Sequence, residues 1–184
     1  MSGMIKQLHT DHMNMARLLD LIDEQMEVFQ TGGAPDYVLM ADIMQYMTNY
    51  PDLFHHPAED LIFGRLAELD EGTRPVVTDL MREHVALTSQ GEMLLNLLKT
   101  IMNEYPVERE DLESGVREYA SMLRAHMNRE EGRIFPIARE ALKEEHWEEI
   151  ETAMGNMEDP LFGKKTIETE YMALYNYIRN CENT

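Results

Sequence analysis

The chain is short of cysteine, tryptophan and positive charge. It holds one cysteine (Cys181), one tryptophan and five phenylalanines in 184 residues, with 16 Lys and Arg against 35 Asp and Glu. A lone cysteine excludes an internal disulfide framework and any thiolate-rich zinc site. A formal charge of −19 has the wrong sign for a surface that tracks phosphates, so no nucleic-acid partner is expected. An anionic membrane surface is disfavoured for the same reason. No apolar run approaches the roughly 20 residues of a membrane span. The opening MSGMIKQLHTDH has no apolar stretch of the kind a secretory signal needs. These absences lead us to expect a soluble, acidic, cytoplasmic protein of one domain with an extension.

What is abundant is methionine, 16 residues. Met and Leu favour helix, and the poverty in Val, Ile and Thr argues against strands. The simplest reading of so much methionine is a pliable core rather than a soft-metal store. Helical periodicity appears in four long segments. Ile5, Leu8, His12, Met15, Leu19, Ile22, Met26 and Phe29 form the first stripe, which TGGAPD (31–36) ends. The second segment runs from Tyr37 to Leu69. Its two halves carry stripes rotated against each other, which predicts a kink or short break between Tyr50 and Pro57. The third opens near Pro75 and includes Leu80, His84, Leu87, Gly91 and Leu94. The fourth runs from about Glu110 to Leu142, with a kink expected at Pro136. Four such helices with short connections predict an all-α, up-down-up-down antiparallel four-helix bundle over residues 1–142. A helix near Glu145 to Met154 and another ending about Tyr177 form an extension, 143–184, expected to lay Tyr171, Leu174, Tyr175 and Ile178 on the bundle.

Ionisable residues interrupt these apolar stripes at His12, His55, Glu59, His84, His126 and Glu130. An unpaired buried carboxylate is costly, so buried charges are normally paired or metal-bound. Residues four apart share a helix face, and His-x-x-x-Glu occurs twice, at His55/Glu59 and His126/Glu130. Counting from the connections, each of the four histidines lies roughly 17–19 residues from the same end of the bundle. At about 1.5 Å per residue they share one level. Imidazole and carboxylate without thiolate suit iron, manganese or zinc, and two bridging carboxylates suggest a two-metal site, with iron favoured.

The motifs TDH at His12, FHHPAEDLIF, REH at His84 and HMNREEGRIFP together resemble the hemerythrin-like family of HHE cation-binding domains. The resemblance spans about residues 4–142, and DPLFG in the tail is similar to the extension of bacterial members. It implies a four-helix bundle around a non-haem di-iron centre whose two iron ions are expected to share an oxo or hydroxo bridge. Carried over by position, His12, His55, His84 and His126 correspond to terminal ligands and Glu59 and Glu130 to bridges. One departure stands out. The oxygen carriers of the family have a His-x-x-x-His pair on the third helix, whereas Leu80 and Thr88 flank His84 here. His56, next to His55 and freed by the Pro57 kink, is the best replacement; the alternative leaves it behind the site or at the surface.

Of the remaining polar residues, His9 is expected to back His12 or face solvent, and His146 to lie at the surface. Asp60 and Glu131 read as solvated partners of their neighbours, and Tyr50 and Tyr119 as able to hydrogen-bond near the site or simply pack. A centre with fewer imidazoles than an oxygen carrier leaves positions for a small diatomic ligand or peroxide. The expected function is binding or sensing of O2, peroxide or nitric oxide. The alternatives are a catalase- or peroxidase-like enzyme and an iron storage or delivery protein. A sensor or iron donor would need a separate signalling or iron-acceptor protein.

Overall fold

In the computed structural model, residues 3–155, 159–163 and 167–182 are described. They form helices α1 (Gly3–Gln30), α2 (Tyr37–Tyr50), α3 (His56–Leu69), α4 (Arg74–Met102), α5 (Arg109–Arg129), α6 (Phe135–Ala141), α7 (Glu144–Met154) and α8 (Met172–Glu182). No strand occurs among the described residues. The Asp36 side chain caps α2 by accepting Leu39 N–H at 2.9 Å, and Pro75 sits in the first turn of α4, where a missing N–H costs nothing. Gly32, at φ 84°, turns the chain out of α1.

The expected breaks in the second and fourth segments are single π-helical turns, Pro51–His55 and Glu130–Ile134, within otherwise continuous rods. Each closes just before an X–Pro pair, His56–Pro57 and Phe135–Pro136, with His56 N–H bonded to Pro51 O and Phe135 N–H to Glu130 O. Proline has no N–H for the regular ladder, and a wider turn absorbs the mismatch without breaking the rod. The extra residue also rotates the downstream stripe, which is the phase change visible in the sequence.

Four rods result: α1, α2 with α3, α4, and α5 with α6. α1 packs on α2 and α5, and α4 packs on α2, α3 and α5, so each rod lies beside its neighbours in the chain. The result is an all-α bundle. Two hydrophobic clusters fill it. The larger is rich in methionine and includes Met15, Met40, Met44, Leu87, Leu98 and Leu123. The smaller includes Leu8, Ile62, Phe63, Leu66, Leu80 and Phe135. On α1 and α4 the histidines fall between members of the two clusters, His12 between Leu8 and Met15 and His84 between Leu80 and Leu87. A polar layer therefore separates the two greasy regions.

α7 adds Trp147 and Ile150 to the smaller cluster and contacts α3. α8, which ends five residues later than expected, adds Leu174 and Ile178 to the larger cluster and contacts α2, with Tyr171 buried ahead of it. Tyr46 on α2 donates to Asp159 Oδ2 at 2.8 Å, and Asp159 Oδ1 accepts the N–H groups of Leu161 and Phe162. Among the described residues no helix is long and apolar enough to cross a membrane.

Candidate metal centre

Regular α-helix presents neighbouring residues about 100° apart, yet His55 and His56 are both buried. His55 is the last residue of the first π turn and His56 the first of α3, so the irregularity turns both rings inward. Glu59 follows one turn later. The second π turn opens with Glu130, four residues after His126. Both glutamates are wholly buried.

The carboxylates face imidazoles on opposite sides. Glu59 Oε1 lies 3.4 Å from His12 Nε2 and 3.3 Å from His55 Nε2, while Oε2 lies 3.4 Å from His84 Nε2. Glu130 Oε2 is 3.3 Å from His12 Nε2, and its Oε1 is 3.5 Å from His84 Nε2 and 3.1 Å from His126 Nε2. These approaches lack hydrogen-bond geometry. All four carboxylate oxygens, His84 Nε2 and His126 Nε2 are buried without a hydrogen-bond partner. His12 Nε2 and His55 Nε2 also face each other at 3.1 Å. Converging unsatisfied lone pairs of this kind fit a cation, which replaces the missing partners of every atom at once. Among the described residues, two groups have ligand atoms within 4.8 Å of one another: His56, Glu59, His84 and His126; and His12, His55 and Glu59. Glu59 belongs to both.

Each inward ring is held from behind by a carboxylate. His12 Nδ1 is bonded to Glu131 (2.9 Å), His55 Nδ1 to Asp11 (3.2 Å), His56 Nδ1 to Asp52 (3.1 Å), His84 Nδ1 to Asp60 (3.0 Å) and His126 Nδ1 to Glu83 (3.0 Å). A carboxylate accepts only, so Nδ1 carries the proton and Nε2 points inward. Such backing orients metal-binding imidazoles. Arg129 also binds Glu83, and Tyr50 donates to Asp11 Oδ2 at 3.2 Å.

Burial alone would lower the His12 pKa, but the adjacent Glu130, Glu131 and Glu59 carboxylates raise it to about 11. Burial likewise opposes protonation of His84, which Asp60, Glu130 and Glu59 raise to about 11. Against the same burial penalty, Glu59 and Asp11 bring His55 to about 9. His56 goes the other way, lowered by burial and by the neighbouring His84 and His55 despite Asp52. Burial and Glu59 push the Glu130 carboxyl up, and His12, His126 and His84 more than compensate, holding it at about 2.

The structure brings His12, His55, His56, Glu59, His84, His126 and Glu130 into one buried cluster. Two expectations need correction. Asp60 and Glu131 are not merely solvated neighbours: they bind His84 and His12 across helix interfaces. His146 is buried rather than superficial, because α7 turns its apolar side to α3 and the His146 ring accepts Lys143 N–H at 3.2 Å. His9 is half exposed and bonded to Glu131, and Tyr119 is buried beside Gly91. Asp11, Asp52 and Glu83 escaped sequence reasoning as site residues. Asp11 and Glu83 each precede an inward-facing histidine, a position on the helix flank that meets the next rod, and that adjacency was the available signal.

Comparison with curated proteins and with solved structures gives no match. Residues 3–138 match the family described as hemerythrin HHE cation binding domain. That match covers most of the chain and includes every residue of the buried histidine and glutamate cluster, so the chain belongs to the hemerythrin HHE cation-binding family.

Proposed function

We propose that this protein is a non-haem di-iron protein that binds or senses O2, peroxide or nitric oxide. The observation that supports this reading best is the division of each buried glutamate between two sets of imidazoles, with none of the four oxygens hydrogen-bonded. One carboxylate that spans two nitrogen-rich pockets suits a pair of ions. His12 and His55 would hold one ion, His56, His84 and His126 the other, and Glu59 and Glu130 would span both. Bound there, iron would supply the electrons for reaction with a small oxidant and the Lewis acidity to bind nitric oxide. The chain itself bonds each Nδ1–H to an outer carboxylate, directs Nε2 inward, and sets the layer between two apolar clusters. Three imidazoles against two leave the His12–His55 side less crowded. In this reading residues 1–142 form the metal-binding unit and 143–184 an extension of it.

Metal analysis and an absorption spectrum of protein purified without added metal or chelator test the proposal. Two irons per chain with visible absorption are expected; colourless, metal-free protein would overturn it. Peroxide decomposition is a second reading, favoured by a cavity of about 460 Å³ whose wall includes Gln7, Asp11, Tyr50, Phe54 and His55. This volume far exceeds a diatomic ligand and places polar groups beside the centre. Steady oxygen evolution from peroxide would select it.

A further inference from the structure

The third long helix, α4, brings one imidazole to the centre, His84. One turn before it stands Leu80, buried and apolar, and one turn after it Thr88. Thr88 is nonetheless joined to the site. Its hydroxyl lies 2.8 Å from Asp52 Oδ1, and the same oxygen lies 3.1 Å from His56 Nδ1. Thr88 Oγ1 also lies 3.0 Å from the His84 carbonyl, but the charged acceptor is the closer.

Asp52 belongs to the π turn and His56 to the residue that closes it, so without support the pair would depend on one irregular turn. Thr88 ties that turn to a regular helix. With Oδ1 accepting from both, His56 carries its proton on Nδ1 and turns Nε2 toward Glu59, His84 and His126. The His56 ring is stacked on His84, with centroids 4.2 Å apart and planes 13° from parallel. The approach of α4 to α2 that permits this is set nearby at Gly91, where a Cβ would stand 2.9 Å from Thr48 Cγ2 and 3.2 Å from the Tyr119 ring.

We propose that Thr88 is a positioning residue: through Asp52 it aims His56 into the centre, so that an imidazole from the second rod serves where α4 offers only one. This rests on the reading that the cluster holds metal. A hydroxyl at position 88 then does through a carboxylate what a second imidazole on α4 would do directly.

The test is a Co(II) titration of metal-free protein, followed by visible absorption, for wild type, Thr88→Val, Thr88→Ser, His56→Ala and the double variant Thr88→Val/His56→Ala. Nitrogen-15 NMR of the His56 ring in the Zn(II)-loaded protein gives the tautomer independently of any activity. Valine keeps the shape of threonine and removes its hydroxyl. Thr88→Val is expected to weaken Co(II) binding about 10-fold or more and alter its spectrum, as loss of an outer partner generally does. Thr88→Ser is expected to restore both, and Thr88→Val to add nothing when His56 is already alanine. Unchanged affinity, spectrum and His56 tautomer in Thr88→Val would overturn the role of Thr88 while leaving the metal centre intact. An equal loss in the His56→Ala background would overturn it too, by showing that Thr88 acts through His84 or the fold. Wild-type protein that takes up no Co(II) would overturn both this inference and the reading beneath it.

Discussion

Asp60 and His84 are bonded across the α3–α4 interface at 3.0 Å, while Glu59, the residue before Asp60, presents Oε2 to the other nitrogen of the same ring at 3.4 Å. Two consecutive acids on one helix thus grip one imidazole of the next from both ends. The relation continues around the bundle. Glu83 on α4 backs His126 on α5, Glu131 after α5 backs His12 on α1, and Asp11 on α1 backs His55. Each rod supplies both a ring to the centre and an acid that orients its neighbour's ring.

Asp60→Asn keeps the shape of the side chain and removes its charge. It is expected to weaken metal binding about 10- to 100-fold, because the His84 ring loses its anionic backing. Competition against a chelator of known affinity measures this; unchanged affinity would show that the ring is aimed by packing alone.

Glu130→Ala and His126→Ala are expected to lose most bound metal, because each removes an atom from the buried cluster. Metal uptake couples to folding, so the metal-dependent part of thermal stability should vanish with it. Elemental analysis and paired melting curves with and without metal check both outcomes; full metal content in either variant would refute its assignment.

Proton linkage gives a further expectation. In the folded metal-free protein His12 and His84 are raised to about 11 and His55 to about 9, above the ordinary 6.5. Their stabilisation is therefore complete below pH 6.5 and is lost as pH rises through about 9 and then about 11. Glu130, depressed to about 2 from 4.5, contributes in full above pH 4.5 and loses its contribution as pH falls through about 2. Stability of the metal-free protein to urea should accordingly fall from about pH 6.5 upward, with the His55 contribution gone above about pH 9. At pH 8 the protons on His12, His55 and His84 must leave when metal binds. A pH-indicator dye should register their release, and a titration without proton release would contradict the assignment.

Gly91→Ala tests the contact that sets the α2–α4 distance. The added Cβ meets Thr48 Cγ2 at 2.9 Å, and Thr48 cannot simply rotate away because its hydroxyl is bonded to Met44 O at 2.9 Å. Overpacking typically costs about 1–3 kcal/mol, against up to about 1 kcal/mol gained in helix propensity. A net loss of about 1 kcal/mol is expected in urea unfolding.

Tyr46→Phe removes the donor to Asp159 Oδ2, leaving a buried carboxylate oxygen without that partner. An unsatisfied buried acceptor costs about 1–3 kcal/mol. The loss should fall on the docking of the C-terminal segment. Hydrogen exchange is expected to speed up in α8 and to stay unchanged in α4.

The bundle was legible because helical period and connecting turns are local. Stripes such as Ile5, Leu8, Met15 and Leu19 place their buried faces without reference to any other rod, and Pro57 and Pro136 mark the irregular turns. The level of the four histidines followed from the fixed rise of a helix. By itself, then, the sequence determined the rods, their order and the polar layer that interrupts their apolar faces. Tertiary structure alone decided which acid meets which ring. It also buried His146, and it converted Thr88 from an apparent gap in the ligand pattern into the support of Asp52 and His56. Period assigns a residue to a face of its own helix. The partner across an interface depends on how closely and at what rotation two rods pack, and contacts such as Gly91 against Thr48, distant in sequence, set that.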